Sequence, residues 1–206
     1  MECDKLIHLA TELQSLAQAG LYYGKDVYDR ERYTRIREIA AEIITLRSDL
    51  PYEKVTEVFC ADSGYQTPKV DTRAAIFSGG DRILLVREKD GRWALPGGWC
   101  EFDLAPAANT VKEVREEAGR EVKVTSLIAV QNRNDHNTPP YAYGVVKLFY
   151  LCEELGGEFR ENSETTTADY FAADDLPPLA EEKCNADQVL MCFRAHKDPD
   201  MRTVFD

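Results

Sequence analysis

The sequence predicts a mixed-sheet α/β (mixed α+β) domain behind a small all-helical one. Two observations predict it. Through residue 60, apolar residues recur at the helical spacing of three and four. Beyond residue 69 they fall into short runs divided by glycine and aspartate turns, with helical stretches between them. A length of 206 residues leaves room for one ordinary domain and a small appendage. The expected division is a helical domain over 1–60, a linker over 61–68 and the α/β domain over 69–206.

In the first helix Leu6, Leu9, Leu13 and Leu16 make an apolar stripe, and Gly20 is placed to stop it. A second helix is expected from Asp29, as N-cap, to Arg47, with Ile36, Ile39, Ile43 and Leu46 as its stripe. A short third helix starts at Pro51 and ends near Phe59. Asp-Ser-Gly and Thr-Pro mark Ala61 to Lys69 as a linker. Val70–Phe77, Arg82–Glu88 and Trp93–Leu95 read as strands, turned at Gly79-Gly80-Asp81 and at Asp90-Gly91. A helix over about 104–118 follows, then strands near 121–131, 143–153 and 168–172. A final helix begins near Asn185, where Asn185 and Gln188 have capping-box spacing. Strands interleaved with helices and hairpin turns give a mixed sheet.

Composition narrows the function. The formal net charge of −12 argues against tight binding to duplex nucleic acid, which wants a basic face. A polyanionic small substrate stays open, because a bound metal inverts the local field. No run of 18 apolar residues occurs, so no membrane span is expected. Met1-Glu2-Cys3-Asp4-Lys5 lacks the basic start and apolar core of a signal peptide, and a cytoplasmic location is the default expectation. Cys3, Cys60, Cys100, Cys152, Cys184 and Cys192 are scattered without a C-x-x-C pair. They read as reduced, mostly buried thiols rather than a zinc site or disulfide framework.

The helix over 104–118 carries the chemistry. Glu113, Glu116 and Glu117 stand at i, i+3 and i+4 and so share one face. Like charges so placed repel by about 0.2–0.5 kcal/mol per pair, and three together ask for a cation. Ala107, Val111, Val114 and Ala118 form a separate apolar face toward the core. Pro106 suits the first turn and Gly119 the C′ position. Oxygen-only ligands suit Mg²⁺, which usually bridges to substrate phosphates. Upstream, Leu95-Pro96-Gly97-Gly98-Trp99 supplies two glycines that let backbone approach a metal or phosphate closely.

From Gly98 to Arg120 the chain resembles the signature of Nudix hydrolases, G-x₅-E-x₇-R-E-U-x-E-E-x-G-U, with U a bulky aliphatic residue. Gly98, Glu113, Val114, Glu116, Glu117 and Gly119 match it. Leu104 replaces the first glutamate, Lys112 the arginine and Arg120 the last aliphatic residue. In the family that glutamate and arginine pair structurally, and here both partners change together. The resemblance implies a Nudix fold, a mixed sheet packed between helices, over about 68–206. It implies attack of water on phosphorus of a nucleoside diphosphate linked to a group X, releasing nucleoside monophosphate and X-phosphate. It also implies Mg²⁺, with Mn²⁺ as a substitute, on Glu113, Glu116 and Glu117, with Glu116 catalytic and the Gly97 or Gly98 carbonyl as an extra ligand.

Outside the signature, Glu153 and Glu164 are the candidates for general base, each with a plain surface acid as the bland alternative. Arg73, in a strand entering the core, holds either a phosphate or a carboxylate. Arg133 and His136 lie in the polar stretch Asn132-Arg133-Asn134-Asp135-His136-Asn137, a loop suited to recognition, although a lone loop histidine is more often simply solvated. Trp99 and Tyr141 are candidates to stack on a base, whereas Trp93 reads as core. Leu13–Leu21 and Lys25–Tyr33, with Lys147-Leu148-Phe149-Tyr150, resemble a bacterial Nudix subgroup with a helical extension, whose members include ADP-ribose and CDP-choline pyrophosphatases. Tyr22, Tyr23, Tyr28 and Tyr33 suit a homodimer interface, or packing within the helical domain. The leading expectation is an ADP-ribose pyrophosphatase-like enzyme. A CDP-choline pyrophosphatase, with or without RNA 3′ exonuclease activity, and a non-catalytic nucleotide sensor are the alternatives.

Overall fold

The computed structural model describes residues 2–48, 50–79 and 81–206, with side chains from Lys5 onward. Gly80 of the expected turn and the Cys3 thiol lie outside the described residues. The chain forms two compact units, Met1–Pro68 with Pro140–Gly144, and Lys69–Pro139 with Val145–Asp206.

The first unit is built from α1 (Glu2–Tyr23), α2 (Val27–Thr45) and α3 (Tyr52–Phe59). Ala40, Ala41, Val55 and Phe59 form its buried centre, with Leu13 and Ile44 packed against them. Three details differ from the sequence reading. Gly20 does not stop α1; a Cβ there would fall 2.5 Å from the Tyr33 ring, so the glycine lets two helices approach. The N-cap of α2 is Asp26, which accepts from the N–H groups of Tyr28 and Asp29. The buried face of α1 holds Ala10, Gln14, Ala17 and Gln18, while Leu9 and Leu16 of the expected stripe are exposed. Gln14 donates to the Phe59 carbonyl at 3.2 Å and Gln18 to the Gly64 carbonyl at 3.1 Å, so polar side chains cap irregular backbone from inside. Ile39 and Leu46 of the α2 stripe are likewise exposed.

The second unit contains β1 (Lys69–Ser78), β2 (Arg82–Glu88), β3 (Trp93–Ala94), α4 (Pro106–Ala118), β4 (Arg120–Asn132), α5 (Arg133–His136), β5 (Val145–Gly157), β6 (Thr165–Phe171), α6 (Ala186–Lys197) and β7 (Val204–Phe205). Among the described residues the sheet order is β3-β2-β1-β5-β4-β7, with β6 paired to β2. The β1/β5 and β4/β7 pairs are parallel and the rest antiparallel, a mixed sheet as expected.

Both faces of β1 and β2 are buried, which explains their near-continuous apolar runs. Alternation splits each strand between two cores. Ala74, Ile76, Leu84 and Val86 meet Val114 and Ala118 of α4 on one side. Ala75, Ile83 and Leu85 meet Val189, Cys192 and Phe193 of α6 on the other. The capping box of Asn185 and Gln188 is formed in full. The short helix α5 replaces the expected irregular loop, with Asn132 capping the Asn134 N–H. β5 continues four residues beyond Glu153 to Gly157, so Glu153 lies within the strand rather than at its end.

α4 begins at Pro106 and ends on Gly119, whose φ of 63° is left-handed. A Cβ at 119 would stand 2.3 Å from the Glu158 carbonyl oxygen. Gly119→Ala therefore loses at least about 1–2 kcal/mol of stability from backbone conformation alone. Urea denaturation should show a lower midpoint with an unchanged slope.

Candidate active site

The glycine loop lies along β1 as an added strand. Thr72 N–H donates to the Gly98 carbonyl at 2.8 Å, Ala74 N–H to the Pro96 carbonyl at 2.9 Å, and Cys100 N–H to the Val70 carbonyl at 2.8 Å. The approach is close enough that a Cβ at Gly97, where φ is +141°, would sit 2.0 Å from the Thr72 carbonyl oxygen. Only glycine fits there. The carboxylate of Glu117 accepts the Gly97 N–H at 2.7 Å, tying loop to helix.

Asn109, fully buried on α4, completes the junction. Its Nδ2 donates to Thr72 Oγ1 at 3.1 Å and to the Trp99 carbonyl at 3.2 Å, and its Oδ1 accepts the Glu101 N–H at 3.1 Å. The sequence reading missed Asn109. Its signal was an asparagine inside a helix, where it is disfavoured unless the side chain satisfies backbone nearby.

The three glutamates keep one face of α4 but differ in surroundings. Glu117 is the most enclosed, and burial pushes it up to about 7 against the opposing pull of Arg73 and the Gly97 N–H. Glu113 is also raised by burial, with Lys112 opposing. Glu116 is half-exposed and lies 2.6 Å from the Lys112 ammonium. Among the described residues, no three His, Cys, Asp or Glu side chains stand clustered as a ready-made metal cage. The donor set nonetheless fits a hard divalent ion. It offers carboxylate oxygens on one helix face, and the Glu113 carboxylate reaches back to the glycine loop, one of its oxygens lying 2.9 Å from where a Cβ of Gly98 would be. The Gly98 carbonyl already accepts from Thr72, with a second lone pair remaining.

Of the two candidate bases, Glu164 is the one placed at this face. Its loop is pinned to the last turn of α4, where Asn162 Nδ2 donates to the Glu116 carbonyl at 2.9 Å and Thr165 Oγ1 to the Glu117 carbonyl at 2.7 Å. These side chains satisfy helix-end carbonyls that have no partner within the helix. Glu164 lines a cleft with Glu116, Asn162 and Ser163. Its charge is felt at Glu113. Glu153 instead pairs in register with Lys123 and lines a groove with Phe77, Thr125 and His196.

The remaining sites separate. Arg73 is buried and holds Asp71 with two hydrogen bonds of 3.2 and 2.8 Å while donating to the Leu95 carbonyl at 3.2 Å. Of its two sequence-level options, the contact made is to a carboxylate. Arg133 is 1% exposed, with donations to the Pro139 and Glu182 carbonyls that fix the chain around α5. His136 Nε2 bonds Asp206 at 2.8 Å. Trp99 follows the glycines and is half-exposed, with the Lys69 ammonium 5.9 Å from its ring centre. Trp93 packs against Phe171 at the core edge.

Carboxylates on one helix face thus stand beside a backbone-clamped glycine loop, and comparison with known proteins supplies the family. Residues 67–192 match the NUDIX domain, and residues 4–59 match a family described as UDP-X-like, N-terminal oligomerisation domain. The chain belongs to the Nudix hydrolase family, whose members generally use divalent metals. It is 41% identical over 203 residues to YjhB of Bacillus subtilis, which carries a provisional ADP-ribose pyrophosphatase name, covering 98% of this chain and 97% of that protein. A crystal structure of an ADP-ribose pyrophosphatase from Streptococcus suis superposes with a TM-score of 0.64 at 48% identity, covering 68% of this chain and all of that one. A crystal structure of UDP-X diphosphatase also gives 0.64, at 33% identity and full coverage of both chains.

Beneath the site Asp71 joins two buried cations, Arg73 and Lys147; the Lys147 ammonium bonds Asp71 and the Lys183 carbonyl. Burial would raise Asp71, but Arg73 and then Lys147 outweigh it and hold the carboxyl below its usual range. Burial and the neighbouring Arg73 bring Lys147 down to about 8 despite Asp71. Because the folded value of Asp71 is depressed, its stabilisation is full above the unfolded carboxylate range and is lost as pH falls through the folded value. Asp71→Asn strands two buried cations and should cost about 3–5 kcal/mol at neutral pH. Denaturant titrations from neutral to acid buffer should show the deficit narrowing as the native carboxyl protonates; a constant deficit would remove Asp71 as the cause.

Proposed function

We propose that this enzyme is a Mg²⁺-dependent pyrophosphohydrolase acting on a nucleoside diphosphate linked to a group X, with ADP-ribose as its leading substrate. The observation that carries the reading is Glu113, Glu116 and Glu117 on one face of α4 beside Gly97 and Gly98, with Glu164 at the same cleft. The names of the Bacillus and Streptococcus relatives support ADP-ribose. One observation favours a second reading, a UDP-linked substrate: the UDP-X diphosphatase structure spans both units of this chain, and residues 4–59 match a UDP-X-like family.

Glu113, Glu116 and Glu117 would hold the ion, with Mn²⁺ able to stand in for it. Bound there, Mg²⁺ would offset the diphosphate charge and favour water as a nucleophile. Glu164 takes the proton of the attacking water. The new P–O bond forms as the anhydride P–O bond breaks, leaving nucleoside monophosphate and X-phosphate. Trp99 offers its half-exposed ring to the nucleobase. Asn109 and Gly97 keep the loop at a fixed distance from the carboxylates, which limits the reorganisation needed during reaction. Membership of the family and the intact glutamates favour catalysis over a nucleotide sensor.

A homodimer through the helical unit fits the exposed Leu9, Leu16, Tyr22, Tyr23, Val27 and Tyr28. It also fits the oligomerisation role in the description of that family. The five described cysteines are free thiols, which suits a cytoplasmic setting. Among the described residues no helix is long and apolar enough to cross a membrane.

Phosphate release coupled to a phosphatase, measured over ADP-ribose, UDP-sugars and CDP-choline, tests the reading. Turnover should require Mg²⁺ or Mn²⁺ and vanish in Glu116→Gln and Glu117→Gln. Glu164→Gln should lower kcat by about 100-fold or more with little change in KM. Turnover that survives Glu116→Gln would overturn the assignment.

A further inference from the structure

Lys112 stands among the acids of the site. Its Nζ lies 2.6 Å from Glu116 Oε2, 3.1 Å from Glu101 Oε1 and 3.9 Å from Glu113 Oε1. Hydrogen bonds to Glu116 and then Glu101 keep the ammonium charged, well above its usual range. Two of these three acids belong to the carboxylate face that suits a divalent ion. Glu101 does not. It sits in the loop after the glycines, and its backbone N–H is held at 3.1 Å by Oδ1 of the buried Asn109. Its position relative to α4 is therefore set by a bond independent of its own carboxylate.

Helix stability is a poor reason for this arrangement. Lys112 precedes Glu116 at i,i+4, the weaker order for such a pair. The two side chains are 27% and 51% exposed, a setting in which ion pairs contribute little. The consequence for a cation is larger. An ammonium 2.6 Å from a Glu116 oxygen occupies the same negative charge that a divalent ion needs and repels that ion. Lys112 and the ion compete for Glu116, while Glu101 and Glu116 compete for Lys112.

We propose that Glu101 and Lys112 are a positioning pair that sets the divalent-cation affinity of the carboxylate face. Lys112 lowers that affinity, and Glu101 restores part of it by drawing the ammonium off Glu116. Because Asn109 bolts the Glu101 loop to the helix, the pair stays at the rim of the site through loading and release. The proposal rests on the metal-site reading above.

The test is Mn²⁺ binding to the full chain by calorimetry or electron paramagnetic resonance, on the native protein, Lys112→Met, Glu101→Gln, their double variant and Glu116→Gln. Lys112→Met should bind Mn²⁺ about 2–5-fold more tightly and Glu101→Gln about 2–5-fold more weakly, the scale of one partly exposed ion pair. The double variant should match Lys112→Met, because Glu101 acts only through Lys112. Glu101→Gln weakening Mn²⁺ equally when Lys112 is absent would overturn the proposal, since Glu101 would then act as a plain negative charge. So would Lys112→Met binding no tighter than the native chain while native binding depends on Glu116; that outcome leaves the metal-site reading intact. Absence of any Glu116-dependent Mn²⁺ binding in the native chain would overturn both. Circular dichroism and Tm of each variant report folding separately, and a change in Tm without a change in Kd would reduce the pair to a helix contact.

Discussion

A side chain at position 97 would begin 2.0 Å from the carbonyl oxygen of Thr72, so the chain there must be glycine and must lie against β1. That approach sets the rest of the site. It lets Thr72, Ala74 and Cys100 donate across the gap and makes the loop an extension of the sheet. It turns the Gly97 N–H toward Glu117, and the helix answers with one carboxylate on the loop and one buried amide, Asn109, bridging Thr72 and Trp99. A rigid strand, a loop and a helix thus meet through hydrogen bonds rather than through side-chain packing alone, the kind of support that holds reacting groups in place.

The same junction is electrostatically demanding. Glu117 is enclosed and raised, Arg73 lies near enough to oppose that rise, and Arg73 is itself anchored by Asp71, which also holds Lys147. Charges so buried are tolerated only when paired and hydrogen-bonded. Asp71 and Arg73 lie in β1 and Lys147 in β5, and β1 is the strand on which the glycine loop lies. At the outer rim Lys112 and Glu101 repeat the theme with more accessible groups, the ammonium shared between Glu101 and Glu116. The inner set is buried and the outer set partly open to solvent.

Much of this was legible in the sequence, for physical reasons. The period of three and four, the period of two, and the glycine and proline signals at Gly119 and Pro106 report local backbone demands, and those elements formed where expected. The glutamate face was legible because three acids at i, i+3 and i+4 are costly without a cation. What was not legible depended on tertiary contacts. Gly20 looked like a stop but serves close packing against Tyr33. The leucine stripe of α1 looked like a core, yet Gln14 and Gln18 are buried instead because they cap the carbonyls of Phe59 and Gly64. Arg133 looked like a recognition residue in a polar loop and is buried holding carbonyls. Asn109 carried almost no signal, since its partners are 37 residues away and in a loop. Glu101 drew no notice because its partner Lys112 matters only once loop and helix are folded together.

The proposed chemistry stands on a divalent ion at the face of α4 beside the glycine loop. Anomalous diffraction from crystals of the chain soaked in Mn²⁺ tests it most directly. A manganese peak is expected within coordination distance of Glu116 and of at least one of Glu113 and Glu117. Manganese bound elsewhere, with those three carboxylates left as they stand, would contradict it.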